Sequence, residues 1–175
     1  MSISAKQAEI LIQQLGVLVV DDNPYMRTVV RNLLHNIGVK KIFDAADGIA
    51  ALEMIRHAAP DVVVLDWEMP LLNGAELVRI VRSPGVFPTP DVPIIMLTAH
   101  GERWRIIEAI KLGVNEFLCK PVSAKALLDR LVSILLKPRE SIQLGNYYGP
   151  APRRSMLTAI DPPELNPDPE LPPAT

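Results

Sequence analysis

Five side chains stand out because each follows directly on, or closes, a short apolar run. They are Asp21 and Asp22 after Val17–Val20, Asp66 after Val62–Leu65, Thr98 after Ile94–Leu97, and Lys120 after Glu116–Cys119. Three carboxylates, a hydroxyl and an ammonium brought to one place can hold a hard divalent cation and handle a phosphoryl group. Acids crowded together repel, a pair about 4 Å apart costing roughly 4 kcal/mol at an effective dielectric near 20, so a fold keeps such a cluster when a cation occupies it. All-oxygen ligation by few carboxylates suits Mg²⁺, which retains waters and binds substrate phosphate. One carboxylate would then be the nucleophile, forming an acyl phosphate. The cation, Lys120, the Thr98 hydroxyl and main-chain N–H groups after the third and fourth strands would neutralise the equatorial oxygens. Each residue taken singly has a plainer account: Asp22 or Asn23 as a helix cap before Pro24, Asp66 as a turn residue, Thr98 as a cap, Lys120 as a surface charge.

The elements that must position these residues alternate. Residues 4–15 are expected to be helical, with Ala8, Leu11, Ile12 and Leu15 on one face and Ser4 with Gln7 as a capping box. The strands Val17–Val20, Lys41–Ala45, Val62–Leu65, Ile94–Leu97 and Glu116–Cys119 are each followed by a helical pattern, the last running Ser123–Leu136. Five β/α pairs imply a parallel sheet with helices on both faces. Ligands of such sheets bind beyond the carboxyl ends of the strands, where the five residues lie. Residues 83–93, with Pro84, Gly85, Pro88, Pro90 and Pro93, form a loop. The expected organisation is an N-terminal helical extension (1–15), an α/β domain (16–136) and a proline-rich tail (137–175), extended or disordered. Nine of the chain's 17 prolines follow Lys137.

Composition narrows the classes. The formal net charge of −2, from 18 basic and 20 acidic residues, leaves no basic footprint for nucleic acid. Cys119 alone excludes an internal disulfide framework and suits a reducing compartment. No apolar run approaches the roughly 20 residues needed to span a bilayer, and no secretory signal is legible, so the expected setting is cytoplasmic, away from membrane.

The motifs together resemble the response-regulator receiver domain of bacterial two-component systems, of the stand-alone CheY-like type, over about residues 16–136. The matching text is Val17-Leu18-Val19-Val20-Asp21-Asp22-Asn23-Pro24, then Leu65-Asp66-Trp67-Glu68-Met69-Pro70 with Gly74, then Met96-Leu97-Thr98-Ala99, and last Phe117-Leu118-Cys119-Lys120-Pro121. The resemblance implies a flavodoxin-like, doubly wound five-stranded sheet in the order 2-1-3-4-5. It implies Asp66 as phosphoacceptor from a phosphohistidine on a sensor kinase or a histidine phosphotransfer protein. It implies Mg²⁺ ligated by Asp22 and Asp66 and by the main-chain carbonyl of Glu68, with Asp21 acting mainly through water. Lys120 would bridge the phosphoryl group and Asp66, aimed by a cis peptide before Pro121. Main-chain N–H groups of Trp67 and Ala99 would contact the phosphoryl oxygens. Thr98 and Phe117 would form the switch, Phe117 acting by burial alone because it lacks a tyrosine hydroxyl.

Several features extend beyond that outline. Glu68 and His100, two positions past Asp66 and Thr98, flank the path of an attacking water and are candidates for setting the lifetime of phospho-Asp66. Trp104 is either exposed or packed inward. The helix 123–136 carries a wide apolar arc, from Leu127 to Leu136, which implies a homodimer contact, cover from the tail, or a broadly buried helix. In the tail, Tyr147, Tyr148, Arg153 and Arg154 form a candidate docking motif, and Met156, Leu157 and Ile160 a single apolar turn. The expected function is a receiver signalling to a protein target. The competing reading is a non-signalling adaptor acting through its N-terminal helix and tail. A small-substrate hydrolase fits poorly, because no aspartate stands two residues after Asp66 and no glycine-rich phosphate loop is present.

Overall fold

A computed structural model describes residues 4–153. Helix α1 (Ala5–Gln14) opens on the expected capping box: the Ser4 hydroxyl accepts from the Gln7 amide and the Gln7 side chain accepts from the Ser4 amide. There follow β1 (Gly16–Val20), α2 (Pro24–Ile37), β2 (Lys41–Ala45), α3 (Gly48–Ala58), β3 (Val62–Asp66), α4 (Gly74–Val81), β4 (Ile94–Thr98), α5 (Arg103–Leu112), β5 (Glu116–Cys119) and α6 (Ala124–Leu136). The five strands are parallel in the order β2-β1-β3-β4-β5, the flavodoxin-like arrangement.

Every residue of β1, β3 and β4 is buried, which is why these strands read as unbroken apolar runs. Alternate side chains serve two cores. Leu18, Val20, Val63, Leu65, Ile94 and Met96 pack toward α3, α4 and α5. Val17, Val19, Val62, Val64, Ile95 and Leu97 pack toward α1, α2 and α6. The wide apolar arc of α6 is partly explained by α1, which lies against it and adds Ile12 and Leu15 to the core containing Leu127 and Leu131.

The tail departs from expectation. Residues 141–150 form an antiparallel hairpin of β6 (Ser141–Leu144) and β7 (Tyr147–Pro150). Gly145, at φ 56°, takes the first central position of the two-residue turn, where a mirror-image turn needs positive φ. The prolines are compatible because Pro138 and Pro152 lie outside the ladder and Pro150 ends it. Arg139 ties the hairpin down, donating to the carbonyls of Asn115 (2.5 Å) and Ala151 (3.1 Å). Arg154, Met156, Leu157 and Ile160 lie outside the described residues.

The 83–93 loop also gains an explanation. The Arg82 guanidinium is buried and donates to the carbonyls of Gly113 (2.9 Å), Pro90 (2.5 Å) and Val92 (2.8 Å) and to Asn115 Oδ1 (2.9 Å). Among the described residues no helix is long and apolar enough to cross a membrane.

Candidate functional site

Parallel register brings the strand ends level. Val20 pairs with Leu65, Asp66 with Leu97 and Thr98 with Cys119, so the next residue along each strand falls on one rim of the sheet. Carboxylate oxygens of Asp21, Asp22 and Asp66 lie within 4.8 Å of one another. Asp21 and Asp66 are buried and Asp22 faces solvent. Lys120 Nζ reaches between the two buried acids, 2.9 Å from Asp66 Oδ1 and 3.2 Å from Asp21 Oδ2. The Lys120–Pro121 peptide is cis.

Local structure fixes each acid. Asp21 Oδ1 accepts from the Asn23 amide at 2.8 Å, and the Asp21 carbonyl accepts from Arg27 at 2.8 Å. Asn23, with Pro24 in the first turn, caps α2, so the capping role belongs to Asn23 and Asp22 is left facing the cluster. Gly74 starts α4 hard against the end of β3. A Cβ there would sit 2.5 Å from the main-chain oxygen of Asp66, so only glycine permits this approach.

Burial pushes the Asp66 carboxyl above the ordinary carboxylate range. The Lys120 hydrogen bond opposes that rise, and the charges of Asp21 and Asp22 add to it. Burial alone would lower Lys120, but hydrogen bonding and charge from Asp66 and Asp21 raise it. One ammonium against three clustered acids leaves a carboxylate excess, in a donor set made of oxygen. That donor set fits a small, hard divalent cation.

The family described as the response regulator receiver domain matches residues 17–132. The chain belongs to that family. It is 38% identical over 125 residues to the chemotaxis protein CheY-3 of Vibrio cholerae, covering 71% of this chain and 95% of the relative. It is 38% identical over 122 residues to the chemotaxis protein CheY1 of Helicobacter pylori, covering 69% and 97%. Among solved structures, the receiver domain of the Francisella response regulator 1452 superposes with a TM-score of 0.63 at 33% identity, covering 71% of this chain and 98% of that one. CheY-like receivers accept phosphoryl groups from histidine kinases, use Mg²⁺ at an acidic pocket, switch on phosphorylation and act on protein targets.

The other expected residues divide in this receiver. Thr98 is fully buried on the neighbouring strand end. Its hydroxyl is engaged within its own loop, accepting from the His100 amide (3.1 Å) and donating to the His100 carbonyl (3.3 Å). Ala99 and His100 are exposed there, and His100 Nδ1 lies 3.7 Å from Glu102. Trp67 corrects an expectation: its amide continues the ladder, donating to the Leu97 carbonyl at 2.9 Å, and is not turned to the pocket. The Glu68 carboxylate lies outside the acidic cluster, paired instead with Arg105 at 2.6 Å. Phe117 is half-buried against the α3–α5 core, and Trp104 is exposed.

Sequence reasoning missed Arg105. The residue stands 37 positions from Glu68, and no local pattern links an arginine on α5 to the loop after the neighbouring strand β3. It also missed the buried Glu116, which accepts from Ser133 at 3.0 Å and from Arg153.

Proposed function

We propose that Asp66 is the phosphoacceptor of this receiver and that its partner is a phosphohistidine on a sensor kinase or a histidine phosphotransfer protein. A carboxylate oxygen of Asp66 forms the new P–O bond as the P–N bond breaks, its electron pair returning to the imidazole. Asp22, Asp66 and the Glu68 carbonyl would hold Mg²⁺, with Asp21 hydrogen-bonding its waters. When bound, the ion supplies positive charge against the phosphoryl oxygens. The Lys120 ammonium would add a second positive charge there, and its ion pair keeps the Asp66 carboxylate oriented.

The observation that carries this reading is Lys120 Nζ seated between two buried aspartates at the rim of the sheet. Burying charged groups is costly, so an adaptor with no phosphoryl chemistry gains nothing from the arrangement. The fit of the Asp cluster to a hard divalent cation supports the same reading.

Phosphorylation adds about −1.5 to −2 charge at Asp66. The Thr98 hydroxyl then has a stronger acceptor than the His100 carbonyl, and the Ala99 amide lies on the loop it would draw inward. Phe117, on the next strand, adjusts its burial as that loop moves. The phosphoryl group thereby biases two arrangements of one loop, which a protein target distinguishes. Glu68 and His100 flank the approach of water and set how long the acyl phosphate lasts.

The test is incubation with a small acyl phosphate and Mg²⁺, read by intact mass. A gain of one phosphate in the native protein, abolished by Asp66→Ala and by omitting Mg²⁺, is the expected result. Equal incorporation by the Ala variant would exclude Asp66.

A further inference from the structure

Arg105, in the first turn of α5, reaches back over the loop that follows Asp66. Its Nη1 lies 2.6 Å from Glu68 Oε1. Its guanidinium is 5.3 Å from the ring centroid of Trp67 and 4.9 Å from that of Trp104, so two indoles flank the ion pair. The arginine side chain is only 17% exposed, whereas Glu68 is 56% exposed. Arg105 Nε is buried with no hydrogen-bond partner among the described residues, so the ring stacking and the Glu68 pair hold this side chain. The contact joins the residues just after Asp66 to the helix that follows the Thr98 loop. Those are the two segments flanking the acceptor.

We propose that Arg105 is a positioning residue for the acceptor site: it neutralises Glu68 and holds that carboxylate out of the acidic cluster, balancing cation binding against admission of an anionic phosphodonor. The inference rests on the reading of Asp66 as acceptor. The rim already carries three carboxylates against one ammonium. A fourth, unpaired anion two residues from Asp66 attracts a divalent cation and repels an acyl phosphate. Arg105 removes that anion electrostatically while leaving the Glu68 main chain free to serve the site. Effects of opposite sign on the two ligands are the signature, because a merely structural role would weaken both.

The experiment compares the native protein with Arg105→Met, Glu68→Gln and the double variant. Mg²⁺ affinity is read by calorimetry, and phosphorylation by acetyl phosphate is read at saturating Mg²⁺. Arg105→Met is expected to bind Mg²⁺ about fivefold more tightly and to accept phosphate about fivefold more slowly, the reach of a partly exposed ion pair. Glu68→Gln moves both quantities the opposite way, and the double variant returns close to native. Arg105→Lys keeps the charge but loses the planar stack that holds it, so it is expected between native and Arg105→Met in both readouts. Weakening of both functions in Arg105→Met, no change in either, or a double variant indistinguishable from Arg105→Met overturns the proposal. A native protein that takes no phosphate on Asp66 overturns the acceptor reading itself. Normal native phosphorylation with a flat variant series overturns only the role of Arg105.

Discussion

Lys120 Nζ lies 2.9 Å from Asp66 Oδ1 and is the only lysine or arginine among the described residues that forms an ion pair with the three-aspartate cluster. Replacing it with methionine removes that ion-pair partner. Mg²⁺ should then bind more tightly, because the ion no longer competes with an ammonium. Phosphorylation should slow by about a hundredfold, since a preorganised charge at the transferring group is lost. Calorimetry with Mg²⁺ and a phosphorylation time course check the two halves. A variant with unchanged phosphorylation would place Lys120 outside the reaction.

Asp66 itself is costly to the protein without its cation. Burial and the charges of Asp21 and Asp22 raise its pKa, against the Lys120 hydrogen bond, so the ionised form is disfavoured in the fold. Asp66→Asn should therefore unfold at higher urea than the native protein when Mg²⁺ is chelated. Adding Mg²⁺ should stabilise the native protein, by about 2.7 kcal/mol at a hundredfold excess over its Kd, and the Asn variant much less. Thermal scans with and without chelator decide it.

How much of this was legible depends on what the chain encodes locally. Asp21, Asp66, Thr98 and Lys120 were readable because parallel register forces the ends of apolar runs onto one rim; β/α alternation implied the parallel sheet, whereas its order 2-1-3-4-5 came from the family resemblance. Asn23, not Asp22, proved to be the α2 cap, a choice settled by which oxygen reaches the Tyr25 and Met26 amides. The Trp67 amide was misassigned because sequence does not say where a ladder stops. The hairpin at 141–150 was hidden by proline count, which says nothing about whether those prolines occupy positions needing a donor. The Arg105–Glu68 pair and the Arg82 network depend on tertiary approach alone.

Gly74 should tolerate no side chain. In Gly74→Ala the new Cβ meets the Asp66 carbonyl at 2.5 Å, and the obstacle is main chain that cannot swing away. The start of α4 must shift, at a cost of about 2–3 kcal/mol typical of overpacking. Because the displaced atoms belong to Asp66 and Trp67, Mg²⁺ affinity should fall along with stability. Urea unfolding and calorimetry on the same preparation test both, and a stable variant with native Mg²⁺ affinity contradicts the packing argument.

Arg82 anchors the 83–93 loop and the turn at Gly113, and burial lowers its pKa to about 10. Arg82→Met deletes the donor to three main-chain carbonyls and leaves them in a largely dry setting. The expected loss is about 3 kcal/mol, the scale for breaking a buried polar network. Amide exchange should quicken most at residues 91–92 and 113–115. Uniform exchange across the sheet, with no local excess, would mean that the arginine is not the anchor.

The hairpin carries its own pH dependence. Tyr148 Oη donates to Asp91 Oδ1 at 2.5 Å. Hydrogen bonds from Ser141 and Tyr148 hold Asp91 below its ordinary value, and the bond to Asp91 holds Tyr148 above its own. For Asp91, the depressed folded value makes its contribution complete above the unfolded pKa of about 3.9, and that contribution is lost as pH falls through the folded value. For Tyr148, the unfolded phenol ionises first, near about pH 10, so its contribution is lost as pH rises beyond that point toward the folded value. The stability difference between native protein and Tyr148→Phe should thus be flat from about pH 5 to 9 and shrink at both ends. Urea titrations across that range measure it. A difference that grows toward either extreme would contradict the hydrogen bond as the cause.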